Sequence, residues 1–191
     1  MARVGIVGGT FDPPHNAHLA MAEAALEGIP LETVLFMPAP RPPQKNSEDL
    51  TAYTLRLEML RRAVAGRPGW AVSRLEEERP GPSYTVDLLA SFRNRSADEP
   101  FLILGADSVS DLPKWKDPAG VLRLATLVVF PRTGYSPLVP IDGPASVVLF
   151  ESPVIDVSST EIRERIRKGA PVDSLIPTDI HEFILDNGLY T

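Results

Sequence analysis

The sequence predicts an α/β fold in which a doubly wound parallel sheet is followed by C-terminal helices. Three observations predict it: short apolar, β-branched segments alternate with longer segments of helical periodicity, a glycine pair directly follows the first apolar segment, and two helical patterns follow the last one. Such alternation is typical of βαβ units with parallel strands. At 191 residues, without an internal repeat or an interdomain linker, the chain is expected to form a single domain over residues 1–191.

The strands and helices follow from the periodicity in chain order. Compact apolar segments predict strands at residues 3–7, 33–37, 70–75, 101–104, 126–130 and 147–150. Helices are predicted between them at residues 17–26, 54–65, 85–93 and 119–124. Two more follow, one over residues 159–168 that stops at Gly169, and one that starts after Thr178 as N-cap and stops at Asn187 and Gly188. This order predicts a Rossmann-like sheet, with its ligand crevice at the carboxyl ends of the strands.

The composition excludes several classes of function. Cysteine is absent, which excludes disulfide frameworks, thiolate zinc sites and cysteine nucleophiles. The net charge of −6 argues against broad attraction to nucleic acid or anionic membranes, and the apolar segments are strand-sized. The N-terminal residues lack the pattern of a signal peptide. We therefore expect a cytoplasmic protein with no nucleic-acid or membrane partner; whether it forms a homo-oligomer stays open.

The strongest chemical signal is the segment GGTFDPPHNAH, residues 8–18, directly after the first strand. Glycines there let main-chain N–H groups approach phosphate oxygens, beside the positive N-terminus of the next helix. The glycine spacing does not match the dinucleotide-binding G-x-G-x-x-G fingerprint, and a Walker lysine is missing. His15 and His18 share one helix face, where both imidazoles can reach one phosphate chain. Metal ligation by the pair lacks a nearby third ligand, so phosphate contact is preferred and no protein metal site is expected.

A second signal is VSSTEIR, which opens the penultimate helix. Ser158 and Glu161 fit a capping box, so a structural role is sufficient for both. That role leaves Ser159, Thr160 and Arg163 unexplained. Thr160 and Arg163 share a face at the positive end of the helix, which suits a leaving pyrophosphate.

Together these motifs resemble those of the bacterial nicotinate-mononucleotide adenylyltransferases, whose signatures are GGTFDP-x-H-x-G-H and I-S-S-T-x-I-R. In the same order along the chain, PPQK at residues 42–45 resembles the family's PPHK, SYTVDLL at 83–89 its SYT-x-DTL, and GADSVSDLPKWKD at 105–117 its G-x-D segment and tryptophan. The resemblance covers nearly the whole chain. Three residues depart from the family pattern: Ala17 stands for a glycine, Gln44 for a histidine and Thr133 for a proline.

The resemblance implies that the phosphate of nicotinate mononucleotide attacks the α-phosphorus of ATP, with Mg²⁺ accompanying ATP and without a covalent enzyme intermediate. Positioning and charge stabilisation then supply most of the catalysis. The catalytic residues that it implies are His15, His18, Lys45 and Arg163. For ATP binding it implies Gly8, Gly9, Thr10, Phe11, His15, His18, Ser159, Thr160 and Arg163. For the acceptor it implies Thr85, Asp107, Trp115 and Arg132.

Alternatives remain for several of these residues. Thr85 and Asp107 could be helix caps, and Trp115 could be a core or capping aromatic residue. Related enzymes, such as an adenylyltransferase for phosphopantetheine or a cytidylyltransferase, are disfavoured by SYT and the Trp115 segment. A nucleotide-binding regulator without turnover is disfavoured by the intact set of His15, His18, Lys45 and Arg163.

Overall fold

The computed structural model describes residues 1–43, 50–139, 146–154 and 156–191. The strands are β1 Arg3–Gly9, β2 Thr33–Pro38, β3 Trp70–Val72, β4 Glu99–Gly105, β5 Thr126–Phe130 and β6 Val147–Leu149. The α-helices are α1 Asn16–Gly28, α2 Tyr53–Val64, α3 Thr85–Arg95, α4 Ala106–Asp111, α5 Pro118–Leu124, α6 Ser159–Arg167 and α7 Thr178–Asp186, with a 3₁₀ turn at Leu112–Lys114. None of the helices in these described ranges is long and apolar enough to cross a membrane.

The strands form one parallel sheet in the order β3-β2-β1-β4-β5-β6. Strands β1 to β3 follow one another towards one edge of the sheet, and β4 to β6 follow one another towards the other edge. The strand order therefore reverses between the two central strands, β1 and β4. In such sheets ligands bind at the carboxyl ends of the strands beside that reversal. The predicted fold class, a Rossmann-like doubly wound sheet followed by C-terminal helices, is confirmed.

The core has two layers, one on each face of the sheet. Alternation along β5 shows the division, because Val128 and Phe130 pack in the layer that includes α1, α2, α6 and α7, whereas Leu127 and Val129 pack in the layer that includes α3, α4 and α5. Burial on both faces explains why the strand sequences are almost continuously apolar rather than alternating.

Some element boundaries differ from the expectation. The strand predicted over residues 70–75 ends at Val72, because this edge strand pairs only with β2 and the chain then turns. Thr178 is not the N-cap of α7: Pro177 occupies that position, and no side chain caps the helix there. Helix α4 and the 3₁₀ turn were not predicted, because they are too short to show a clear period. The helix after β6 ends near Gly169, whose φ of 64° lies in the left-handed region that glycine adopts readily.

Candidate active site

His15, the N-cap residue of α1, and His18, in the first turn of that helix, lie side by side. Their rings are stacked, with centroids 3.7 Å apart and an interplanar angle of 25°. The main-chain N–H of His15 donates to Nδ1 of His18 at 3.2 Å, as expected for a side chain that caps the start of α1. Because Nδ1 accepts this bond, the neutral His18 ring carries its hydrogen on Nε2, and that N–H remains available as a donor.

Both imidazoles are held neutral at neutral pH. Burial, together with the charge of Arg132, lowers the pKa of His18 to about 3. Burial also lowers the pKa of His15 far below its usual value, with smaller contributions from His18 and Arg132. Nδ1 of His15 is buried without a hydrogen-bond partner among the described residues. A polyanion bound beside these rings would favour their protonated forms, since an opposite charge raises the pKa of an imidazole.

A polar cavity of about 240 Å³ opens beside these rings, and we call it the histidine cavity. It lies at the carboxyl ends of β1, β4 and β5, against the N-termini of α1 and α6. The residues that line it with polar groups or a close main chain are Gly8, His15, His18, Gly105, Asp107, Ser108, Arg132, Ser158, Ser159 and Thr160. Two helix N-termini and a guanidinium together favour an anionic ligand here.

A second cavity of about 440 Å³ adjoins the first, and we call it the tryptophan cavity. Its lining includes Gly8, Gly9, Thr10, Ala39, Glu76, Tyr84, Thr85, Lys114, Trp115 and Lys116. Gly8, Leu104 and Ser108 line both cavities. Two ligands, one in each cavity, would therefore meet beside the end of β1.

The structure divides the expected site residues between the two cavities. Those lining the histidine cavity are Gly8, His15, His18, Ser159, Thr160, Asp107 and Arg132, and those lining the tryptophan cavity are Gly8, Gly9, Thr10, Thr85 and Trp115. Asp107 and Arg132, which were expected on the acceptor side, thus lie with the histidines. Their side chains face each other, with Arg132 Nε 3.6 Å from Asp107 Oδ2. Lys45, like Gln44, lies outside the described residues.

Phe11 and Arg163 line neither cavity and instead contact the protein around the histidines. Phe11 is 1% exposed, and its ring meets the His18 ring edge-on at 5.0 Å. Arg163 Nη1 donates to the Asp12 carbonyl at 2.8 Å, and Ser159 Oγ donates to the Pro13 carbonyl at 2.9 Å. The start of α6 is therefore bonded to the loop of residues 10–15 between β1 and α1, which we call the histidine loop, and Phe11 supports the His18 imidazole from the core.

The capping alternatives do not hold for Thr85 and Asp107. Thr85 is the first residue of α3, after Tyr84 as N-cap, and Asp107 lies in the first turn of α4, after Gly105; neither helix has a side-chain cap. At α6, Ser158 Oγ accepts from the Glu161 main-chain N–H at 3.1 Å. The Glu161 carboxylate pairs with Arg165 instead of returning to Ser158, so only half of the expected capping box forms.

Two buried charged residues near the cavities were not expected from the sequence. Glu76 lines the tryptophan cavity and is 6% exposed; burial raises the pKa of its carboxyl to about 7, although Arg79 and Arg41 act in the opposite direction. Arg56 of α2 lies behind the same cavity and is 1% exposed. The signal for Arg56 was its spacing on an amphipathic helix, because it shares a face with the buried residues Leu60 and Ala63.

Comparison with known proteins agrees with this architecture. A family model described as Cytidylyltransferase-like matches residues 6–165. The chain is 40% identical to the nicotinate-nucleotide adenylyltransferase of Bacillus subtilis (strain 168), covering 100% of this chain and 99% of that protein. It is 41% identical to a probable nicotinate-nucleotide adenylyltransferase of Geobacillus kaustophilus, covering 100% of this chain and 87% of that one.

The chain shares its fold with the solved structure of Plasmodium falciparum nicotinic acid mononucleotide adenylyltransferase complexed with APC. The TM-score is 0.82 and the identity 18%, over 100% of this chain and 98% of that chain. At that identity, the likeness supports the fold alone. The chain belongs to the cytidylyltransferase-like family and, within it, to the nicotinate-nucleotide adenylyltransferases. The resemblance seen in the motifs is thereby confirmed.

Proposed function

We propose that the protein transfers the adenylyl group of ATP to nicotinate mononucleotide, giving nicotinate adenine dinucleotide and pyrophosphate for NAD biosynthesis. The observation that carries the proposal is the pair of cavities that share Gly8, one lined by the stacked histidines and the other by Thr85 and Trp115. A direct transfer between two substrates requires such adjoining sites, because the reacting atoms must be held about 3–3.5 Å apart. The relatives named nicotinate-nucleotide adenylyltransferase support the same reaction.

In this proposal the histidine cavity binds the triphosphate of ATP. His18 donates from Nε2, and the main chain of Gly8 and the hydroxyls of Ser159 and Thr160 add further polar contacts. The positive N-termini of α1 and α6 face the same anion. Neutral imidazoles need not be displaced from ion pairs before they bind phosphate, and the incoming negative charge strengthens their role as donors.

Further cations complete the ATP site in this proposal. Arg132 already lies in the histidine cavity, where Asp107 is its partner. Arg163 is bonded to the Asp12 carbonyl and to Thr160 Oγ1, and we propose that its guanidinium also holds the leaving pyrophosphate. Lys45 follows the loop after β2 and is proposed to add charge at the same phosphates.

The tryptophan cavity binds the acceptor in this proposal. The Trp115 indole is half-buried and lines the cavity, so its ring can stack on the pyridine ring. Thr85 presents a hydroxyl at the start of α3, where main-chain N–H groups are unpaired, and this combination suits a carboxylate substituent.

The chemistry needs few groups. An oxygen of the acceptor phosphate forms a bond to the α-phosphorus while the bond from that phosphorus to the bridging oxygen breaks, and pyrophosphate leaves with the electron pair. We assign no general base, because a phosphate dianion is already a nucleophile. The enzyme residues act by alignment and by donors aimed at the charge that develops on the phosphoryl oxygens.

Mg²⁺ is proposed to accompany ATP. The described residues include no group of three His, Cys, Asp or Glu side chains arranged to hold a metal ion. Asp107 does place one carboxylate in the histidine cavity, and magnesium in nucleotide enzymes is commonly bound by one or two carboxylates together with substrate phosphates. The residues therefore fit an ion that arrives with ATP, and the ion would neutralise charge on the phosphate chain.

A coupled assay of pyrophosphate release across a panel of acceptors tests the proposal. With ATP and Mg²⁺, nicotinate mononucleotide is expected to give the highest kcat/KM, ahead of 4′-phosphopantetheine and glycerol 3-phosphate, and CTP is expected to be a poor donor. Preference for another acceptor or for CTP would assign the protein to a different reaction of the family. A nucleotide-binding regulator would release no pyrophosphate with any pair.

A further inference from the structure

Arg56 is a charged side chain in a core position. It projects from α2 among the buried residues Leu57, Met59 and Leu60, and it is 1% exposed. Burying a guanidinium is unfavourable unless its N–H groups are satisfied and its charge is balanced. The desolvation lowers the pKa of Arg56, and the nearby charge of Asp12 acts against this shift. Such a residue needs a compensating set of contacts, and its neighbours supply one.

The guanidinium donates to four main-chain carbonyls in three separate segments. Nη1 donates to the carbonyl of Thr10 at 2.5 Å and to that of Ala39 at 3.0 Å. Nη2 donates to Pro40 at 3.4 Å, and Nε donates to Thr51 at 2.9 Å. A planar fork with five N–H donors can reach all of them at once, whereas the single ammonium of a lysine cannot.

Two of these segments form the wall of the tryptophan cavity. Thr10 follows β1, Ala39 follows β2, and both residues line the cavity. The last main-chain bond between the two segments joins Ala39 N–H to the Gly9 carbonyl at 2.8 Å. Arg56 extends that connection beyond the ends of the strands, from the side opposite the cavity.

The histidine loop carries backbone strain at the point that Arg56 holds. Phe11 follows the bonded Thr10 carbonyl, and its φ of 52° lies in the left-handed region that aromatic residues rarely adopt. Asp12 comes next; its carboxylate accepts from the Tyr190 hydroxyl at 2.7 Å and from the Thr51 main-chain N–H at 3.3 Å. The loop therefore keeps its shape through contacts from outside, of which the Arg56 fork is the most extensive.

We propose that Arg56 is a positioning residue for the reaction: by binding both loops from behind, it fixes the main chain of Gly9 and Thr10 at the junction where the acceptor phosphate meets ATP. Arg56 reaches the substrates only through these loops. Alignment is sensitive to such support, since a shift of about 1 Å in a reacting group can cost about 100-fold in rate. This inference rests on the proposed function, because it uses the same two cavities.

The test compares Arg56→Lys and Arg56→Met with two control variants on the same helix. Leu60→Ala removes a fully buried apolar side chain, which makes no hydrogen bond to the loops, and lowers stability; Arg61→Lys changes an exposed arginine. Each enzyme is assayed well below its melting temperature, per folded molecule, with both KM values measured. We expect both Arg56 variants to lose at least about tenfold in kcat and to raise the KM of the acceptor more than that of ATP. Leu60→Ala should keep wild-type kinetics despite a lower Tm.

Chemical rescue by a small guanidinium compound gives a second measurement, which would not change if Arg56 had only a structural role. Guanidinium or methylguanidinium at millimolar concentration should restore part of the kcat of Arg56→Ala and leave Leu60→Ala unchanged. Wild-type kcat and KM values in Arg56→Lys, or equal kinetic losses in Leu60→Ala, would overturn the inference while the adenylyl-transfer proposal stands. Failure of the wild-type enzyme itself to use nicotinate mononucleotide would instead refute the proposed function.

Discussion

Replacement of His18 by alanine removes three interactions, which affect the rate and the local structure separately. The ring supplies an Nε2–H donor to the histidine cavity, and its Nδ1 accepts the His15 main-chain N–H at 3.2 Å. It also stacks on the His15 ring at 3.7 Å, so its loss frees the neighbouring imidazole. The first interaction concerns the rate, and the other two concern the local structure.

The two effects differ in size. Loss of one donor aimed at the transition state typically costs about 100- to 1000-fold in kcat, or roughly 2.7–4 kcal/mol. Loss of the bond to Nδ1 should cost about 1 kcal/mol of folding free energy, which is the usual net value of one hydrogen bond. We therefore expect His18→Ala to fold, with a modestly lower Tm and a kcat lower by at least about 100-fold.

Two further substitutions separate the roles. The amide of His18→Asn places an acceptor near the position of Nδ1, so it should restore stability but not rate. The longer His18→Gln places an N–H donor near the position of Nε2 and should recover part of kcat. The third histidine is the matched control, because His181 lies on the surface beside Asp173, at 3.1 Å, and His181→Ala should keep kcat within about twofold.

The assay is pyrophosphate release at saturating ATP, Mg²⁺ and nicotinate mononucleotide, with Tm measured in parallel. Near wild-type kcat in His18→Ala would refute the assigned role. The role would also be refuted if the kcat of His18→Asn recovered together with its Tm, because that variant still lacks the Nε2–H donor.

Three other predictions concern the tryptophan cavity. Trp115→Ala should raise the KM of the mononucleotide more than that of ATP, and equal rises would indicate a structural tryptophan. The nicotinate form should exceed the nicotinamide form in kcat/KM by at least about tenfold, because a carboxamide NH₂ facing a donor leaves a buried polar group unpaired, at about 1–3 kcal/mol; equal or reversed efficiency would contradict a pocket of donors. Glu76→Gln should change the pH dependence of stability. Burial raises the pKa of Glu76 from 4.5 to about 7, so the native state binds the proton more tightly than the unfolded state does. The wild type therefore loses stability as the pH rises through that interval. The Gln variant should therefore gain Tm relative to the wild type between pH 5 and pH 8, and a difference that does not change with pH would be inconsistent with that shift.

The fold could be predicted because its signals are local. The strand over Thr126–Phe130 has the bounds expected from its apolar run, since both of its faces are buried and Pro131 and Arg132 follow its last residue. Short elements gave no such signal: α4 has six residues, too few for a helical period, and β3 pairs with only one neighbour. Tertiary contacts set these boundaries.

The site could be predicted in part. Spacing alone indicated that His15 and His18 lie together, because they are three residues apart on one helix. The end of β4 indicated that Asp107 reaches the crevice, and the family resemblance implied Arg132, but a sequence does not say towards which of two adjoining cavities a side chain turns. The helical spacing of Arg56, Leu60 and Ala63 indicated a buried position for Arg56 but not its partners, because these are carbonyls in loops up to 46 residues away.

A crystal structure of the protein with nicotinate mononucleotide and a non-reactive α,β-methylene analogue of ATP would show whether the two substrates occupy the adjoining cavities as proposed. We expect the triphosphate in the histidine cavity, the pyridine ring against Trp115 in the tryptophan cavity, and an acceptor phosphate oxygen about 3–3.5 Å from the α-phosphorus beside Gly8. A pyridine ring in the histidine cavity, or both ligands in one cavity with the reacting atoms far apart, would contradict the proposal.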